Sequence, residues 1–156
     1  VLFRSKQKII TPEISLGCNM TIDSNFLYHN TKVYTIELKE NVSQNITFYL
    51  ALLNSKIMWF FLSNTGYTLR GGFFCFKTKY LENFPLPTAT ESQQQELANL
   101  ATLMMEAVKK QQDAKSDQEK NICKMRVEAI DTQINAKVYA LYGLTEDDIA
   151  IVEKSK

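Results

Sequence analysis

The sequence predicts an α+β fold: a small mixed β-sheet domain packed on a central buried helix, followed by a C-terminal antiparallel helical hairpin. Three observations predict it. Residues 46–62 are predominantly apolar and contain neither Pro nor Gly, as a buried helix requires. Short segments rich in β-branched and aromatic residues flank that stretch, at the length of strands. After Pro87 come two long stretches with apolar residues at three- and four-residue steps, each opened by a capping-box pattern.

In chain order, Leu2-Phe3-Arg4 leads into a basic cluster of Arg4, Lys6 and Lys8. Lys8 to Ser15 (KIITPEIS) reads as a strand, with Pro12 placing it at an edge or a bend, because proline cannot donate to a ladder. Gly17 to Asp23 reads as a turn and a short strand. Asn25 to Asn30 (NFLYHN) alternates and reads as a strand, and Asn30-Thr31 turns the chain into another from Val33 to Leu38. Lys39 to Asn45 is a polar loop.

Ile46 to Leu62 reads as one central helix. Tyr49, Leu52, Leu53, Lys56, Ile57, Phe60 and Phe61 recur at spacings of three and four, which puts them on one face. Met58, Trp59 and Leu62 fill much of the other side, so the helix is buried broadly against the sheet. Asn54-Ser55-Lys56 reads as an exposed or capped polar edge of that helix. Asn64-Thr65-Gly66 stops it, since Gly and Asn readily end helices. Thr68 to Gly72 is an exposed loop, and Phe73 to Lys79 returns as a strand with Lys77 and Lys79 on one face. Phe84-Pro85-Leu86-Pro87 is a stiff exit.

Thr90 with Gln93 caps a first long helix from about Glu91 to Asp113, striped by Leu97, Ala101, Met104 and Val108. Ser116 with Glu119 caps a second from about Asp117 to Tyr142, striped by Cys123, Val127, Ile130, Ile134, Val138 and Leu141. A short polar linker between two such helices makes an antiparallel hairpin. Gly143 ends the second helix, and Thr145 with Asp148 starts a last short one to about Glu153. The expected division is 1–87 and 88–156.

Charge follows the same division. Residues 1–87 hold 9 Lys/Arg against 5 Asp/Glu, a net of +4, and residues 88–156 hold 9 against 12, a net of −3. Of the 17 aromatics, 15 lie before residue 88. A mildly basic, aromatic front is compatible with DNA phosphates, although it lacks the strongly basic composition that makes nucleic acid the default partner. No apolar run is longer than the six residues of Ile57 to Leu62, far short of the roughly 20 residues that span a bilayer. Cys18, Cys75 and Cys123 form no CxxC pair and are odd in number. They read as buried free thiols of a reducing, cytoplasmic compartment, not as a zinc or disulfide framework. The chain does not begin with Met, and it reads as a fragment of a longer protein.

No catalytic motif is present: no P-loop, no glycine-rich nucleotide loop after a strand, no HExxH and no GxSxG. His29 is the only histidine and reads as a surface or hairpin residue. The best functional candidate is the loop of Arg70, Gly71 and Gly72. Paired glycines allow positive φ and close backbone approach. An arginine there can fork onto guanine O6 and N7 or grip a phosphate. The plainer reading of the same residues is a hairpin turn with a solvated arginine. Tyr67 and Thr68 offer a stacking face and a hydroxyl beside it, and Lys77 and Lys79 extend the basic surface. Lys6 and Lys8 read as a solvated strand start.

LLNSKIMWFFLSNTGYTLRGG (52–72), FKTKYLENFPLP (76–87) and the ending IDTQINAKVYALYGLTEDDIAIVE (130–153), in that order, resemble the C-terminal specificity domain of TaqI-like and Eco57I-like enzymes. These are type II (type IIG) restriction-modification, adenine-specific DNA methyltransferases. The resemblance runs from about Lys6 to Glu153. It implies a target recognition domain that reads double-stranded DNA through Arg70, Gly71, Gly72, Tyr67 and Thr68, with Lys6, Lys8, Lys77 and Lys79 on phosphates. The Asn/Asp-Pro-Pro-aromatic tetrapeptide of adenine methyltransferases is absent, and no PD…(D/E)xK nuclease core is present. The resemblance therefore places catalysis upstream, in the same chain or a separate subunit, with S-adenosylmethionine as the parent enzyme's cofactor and Mg where a nuclease is fused. No cofactor is implied for this fragment. The other reading, from a different class, is a protein-interaction module in which the Gln-rich hairpin drives self-association and the front half is scaffold.

Overall fold

The structure is a computed structural model and describes residues 6–154; Leu2-Phe3-Arg4 lies outside them. Its front half holds two small sheets. In the first, β1 (Lys8–Pro12) is central, between β3 (Thr21–Asp23) and β4 (Val33–Ile36). Register runs Ile9 to Ile22 on one side and Ile9 to Ile36 on the other. In the second, β2 (Ile14–Ser15) pairs with β5 (Phe74–Cys75). Every pairing is antiparallel, so the α+β class holds but the predicted mixed sheet is two antiparallel ones. Pro12 explains the split. It has no N–H to give the ladder, and after Glu13, whose N–H still donates to Lys32 O, the chain passes to the second sheet.

The predicted central helix is two helices, α1 (Ile46–Leu53) and α2 (Lys56–Thr65), bent by 56°. The cause is local. Ser55 adopts an extended backbone, and its Oγ accepts from Met58 N–H as the N-cap of α2. Asn135 Oδ1 accepts from Lys56 N–H at 2.8 Å, satisfying another of the donors that a helix start leaves open. Asn54 closes α1 and clamps the backbone of Met20, accepting from its N–H at 2.9 Å and donating to its carbonyl at 3.0 Å. Asn54-Ser55 is thus a capped break that ties α1 to β3 and α2 to the back half.

Six of the eight α1 residues are buried. α1 packs on the sheet with one side and along α4 (Glu91–Asp113) with the other, so one core runs through both halves. α4 and α5 (Asp117–Tyr142) form the predicted antiparallel hairpin, with both capping boxes made. Lys137 near the end of α5 pairs with Glu96 near the start of α4, as antiparallel packing demands. Gly143 ends α5 at φ +65, in the left-handed region, and α6 (Glu146–Lys154) follows, opened by Thr145 and Asp148. The stiff exit is pinned: Phe84 stacks edge-on with Phe61, and Tyr142 donates to the Pro85 carbonyl at 2.6 Å. Among the described residues no single helix is long and apolar enough to cross a membrane.

Two further expectations are corrected. Asn25 to Asn30 is not a strand but an exposed loop. Asp23 and Lys8 side chains bind the backbone of Asn25 and Leu27, the Asn30 carbonyl closes a turn onto Val33 N–H, and Phe26 sits at φ +55, outside the strand region. Phe73 to Lys79 is strand only at β5, and Thr78–Leu81 is a short helix, α3, with Lys77 just before it. Lys77 and Lys79 therefore do not share a strand face.

Candidate nucleic-acid interface

The Arg70 loop is the tip of a hairpin. Thr68 bridges Phe74, Cys75 N–H donates to Tyr67 O, and Leu69 N–H donates to Phe73 O at 2.7 Å. The turn closes by Gly72 N–H to Leu69 O. Gly71, at the third position of that turn, has φ +89, as a type II turn requires, and Gly72 follows at φ +80. A β-carbon is strained at both positions, and this fixes why two glycines follow Arg70. Arg70 is exposed, and no ion pair among the described residues engages it. Tyr67, Thr68, Gly71 and Gly72 are exposed or nearly so beside it, which brings together all five loop residues that the sequence singled out.

The lysines divide. Lys6 is half exposed and pairs with Glu40 at 3.3 Å. Lys79 lies over the Tyr80 ring at 4.7 Å. Lys77 pairs with Glu13 at 3.2 Å. Lys8 is a correction: only 4% exposed, it faces inward from β1, pairs with Asp23 at 3.3 Å and donates to Leu27 O at 2.9 Å. Its ammonium is committed inside the fold, not presented at the surface.

Two features escaped the sequence. The first is Glu13, at the crossing between sheets. Its N–H donates to Lys32 O and its carbonyl accepts from Phe76 N–H, both at 2.9 Å. Its carboxylate receives Lys77 on one oxygen and Lys32 on the other. The two ammonium groups, Lys77 foremost, hold that carboxyl below the ordinary carboxylate range, and Glu13 in turn raises Lys77. Glu13 thereby joins the stem of the Arg70 hairpin to the end of the 25–30 loop.

The second is that loop itself. Asp23 accepts from Asn25 N–H at 2.9 Å and from Leu27 N–H at 2.7 Å, and Asn30 Oδ1 accepts from Lys32 N–H. These are Asx turns at both ends. Asp23, Asn25 and Asn30 were the available signal, and the strand propensity of Phe26, Leu27 and Tyr28 masked it. His29 is exposed within it. The described residues contain no cluster of His, Cys, Asp and Glu able to hold a metal. Cys75 is buried, and burial pushes the Cys18 thiol up to about 12, out of reactive range.

This is a scaffold that offers loops, with an arginine presented on a glycine turn. The family model for the TaqI-like C-terminal specificity domain matches residues 1–86, and the chain belongs to that family. It is a TaqI-like specificity domain. Among solved structures, the type IIL restriction-modification enzyme MmeI in complex with DNA matches with a TM-score of 0.72 at 14% identity, over 99% of this chain and 21% of that one. At that identity the likeness is one of fold, and the chain spans about a fifth of that protein's length. No curated protein matches.

Proposed function

We propose that this chain selects the double-stranded DNA site at which an adenine-specific methyltransferase, of the Eco57I-like type IIG kind, acts. Residues 1–87 face the DNA and residues 88–156 are a spacer that packs on the rest of the enzyme. Methyl transfer from S-adenosylmethionine, and cleavage with Mg where a nuclease is fused, belong to parts outside residues 1–156. A cytoplasmic location goes with that reading. One observation carries it: Arg70 stands exposed on a glycine turn, with no ion pair to it among the described residues, in a specificity domain. The match to a DNA-bound restriction-modification enzyme supports it.

In this reading Arg70 reads a base, flanked by Tyr67 and Thr68, while Lys6, Lys77 and Lys79 hold phosphates and fix register. Lys6 exchanges its exposed partner Glu40 for phosphate at little cost, since such pairs contribute about 0–1 kcal/mol, and Lys77 turns from the part-buried Glu13, which keeps Lys32. Replacing Arg70 by Ala lowers discrimination at one base pair by about 1–3 kcal/mol, read by competition between duplexes that differ at each position. Equal loss on all sequences assigns Arg70 to a phosphate, and no change leaves the turn structural.

A second reading has its own observation. Ile122 and Met125 lie on one face of α5, 60% and 70% exposed, which favours protein contact through the hairpin, either with the parent enzyme or with a second copy. Affinity that falls steeply with salt identifies DNA as the partner, because phosphate contacts release counterions.

A further inference from the structure

We propose that the loop of residues 25–30 is a second base-reading element, in which Phe26, Leu27 and Tyr28 touch thymine methyl groups in the major groove. This deepens the reading of the chain as a DNA recognition domain and rests on it.

The loop is exposed and apolar. Phe26 is 40% exposed, Leu27 60% and Tyr28 76%, three in a row. Three consecutive exposed apolar side chains depart from the singly scattered ones that are ordinary on a surface. It is also held rigidly. The side chains of Lys8 and Asp23, almost wholly buried, spend three hydrogen bonds on the backbone of Asn25 and Leu27. Through those bonds the pair fixes the path of the loop backbone. Phe26 in the left-handed region is a further constraint that the surroundings impose. Lys8 and Asp23 are thus positioning residues. They preorganise the loop, and preorganisation lowers the cost of binding.

The chemistry selects the ligand atoms. Lys32 is the sole cation between Ser24 and Val33, and it is paired with Glu13. A loop without a free cation is poorly suited to phosphate. Apolar side chains flanked by the amides of Asn25 and Asn30 suit base edges, where the thymine methyl is the apolar group that the major groove displays. Through Lys32 and Lys77 the Glu13 carboxylate links the end of this loop to the segment that follows the Arg70 hairpin.

The test uses the full-length protein that carries this chain. Wild type and the Leu27→Ala/Tyr28→Ala variant are each taken through selection from a randomised duplex pool. Both substituted side chains are exposed, and a melting curve confirms that the variant folds. The expected result is loss of a thymine preference at one or two positions by about tenfold, with an unchanged dependence of affinity on salt. Exchanging that thymine for uracil then weakens wild type and leaves the variant indifferent. A variant that enriches the same site with the same ratios, or that weakens equally on every sequence, overturns the role of the loop while the recognition reading stands. A wild type that enriches no sequence overturns the recognition reading itself.

Discussion

The two halves of this molecule obtain their order in different ways. The back half is built from local signals. Thr90 with Gln93 and Ser116 with Glu119 close capping boxes within four residues, and apolar stripes set which faces meet. The front half is built from long-range ones. Asn54 holds Met20 across 34 positions, Asn135 receives Lys56 N–H across 79, and Glu13 joins segments that end at Lys32 and Lys77. Helices satisfy their own backbone. Short strands and loops do not, so side chains must complete the accounting. The half that offers candidate recognition surface is the half whose backbone depends on side chains, in keeping with the concentration of binding residues on loops that a rigid scaffold holds.

The largest expected effect comes from breaking the core that joins the halves. Phe76 is fully buried just after β5, and its N–H bonds Glu13. Phe76→Ala should destabilise by about 3–5 kcal/mol in urea titration. Because α1 packs on both the sheet and α4, helical and tertiary signals should fall together. A helical signal that outlasts the tertiary one would divide the molecule where its core is continuous.

An intermediate effect probes the clamp between them. Asn54→Ala leaves the N–H and carbonyl of Met20 without their partner, which costs about 1–3 kcal/mol for a buried group. Hydrogen exchange should quicken in β3 and around residues 18–23, while α4 and α5 keep their protection. Equal quickening everywhere would show that Asn54 acts on global stability alone and does not hold the strand.

The same contrast explains what the sequence disclosed. Both long helices, their caps and the Gly143 stop were legible to the residue because every determinant lies within a turn of the chain. The Arg70 hairpin was legible because paired glycines mark positive φ. The bend at Asn54-Ser55 was read only as a polar edge. What makes it a break is the serine cap with Met20 and Asn135, and neither partner is near in sequence. Lys8 looked like its neighbour Lys6, and only the pairing of β1 with β3 turns it inward onto Asp23. Asn25 to Asn30 was misread because aromatic residues favour strands wherever a neighbour is free to pair. Here the Asp23 side chain takes the N–H groups of Asn25 and Leu27, and Phe26 turns to a positive φ, so the segment cannot run as a strand.

The smallest expected effect sharpens the contrast most. Thr90→Ala and Ser116→Ala each remove a cap, at about 1 kcal/mol. The two caps open the two helices of the hairpin and so lie at its opposite ends, separated by the length of α4, about 35 Å at 1.5 Å per residue. Their effects should therefore add in the double variant, as they do for sites without shared partners. Glu13→Gln and Lys77→Ala meet at one carboxylate, so those two should fall short of additivity in the same assay. If the caps coupled as well, the back half could not be the locally determined region that its sequence describes. If the Glu13 pair added cleanly, the knot between the two exposed loops would be a surface coincidence, and the loops would be free to move independently.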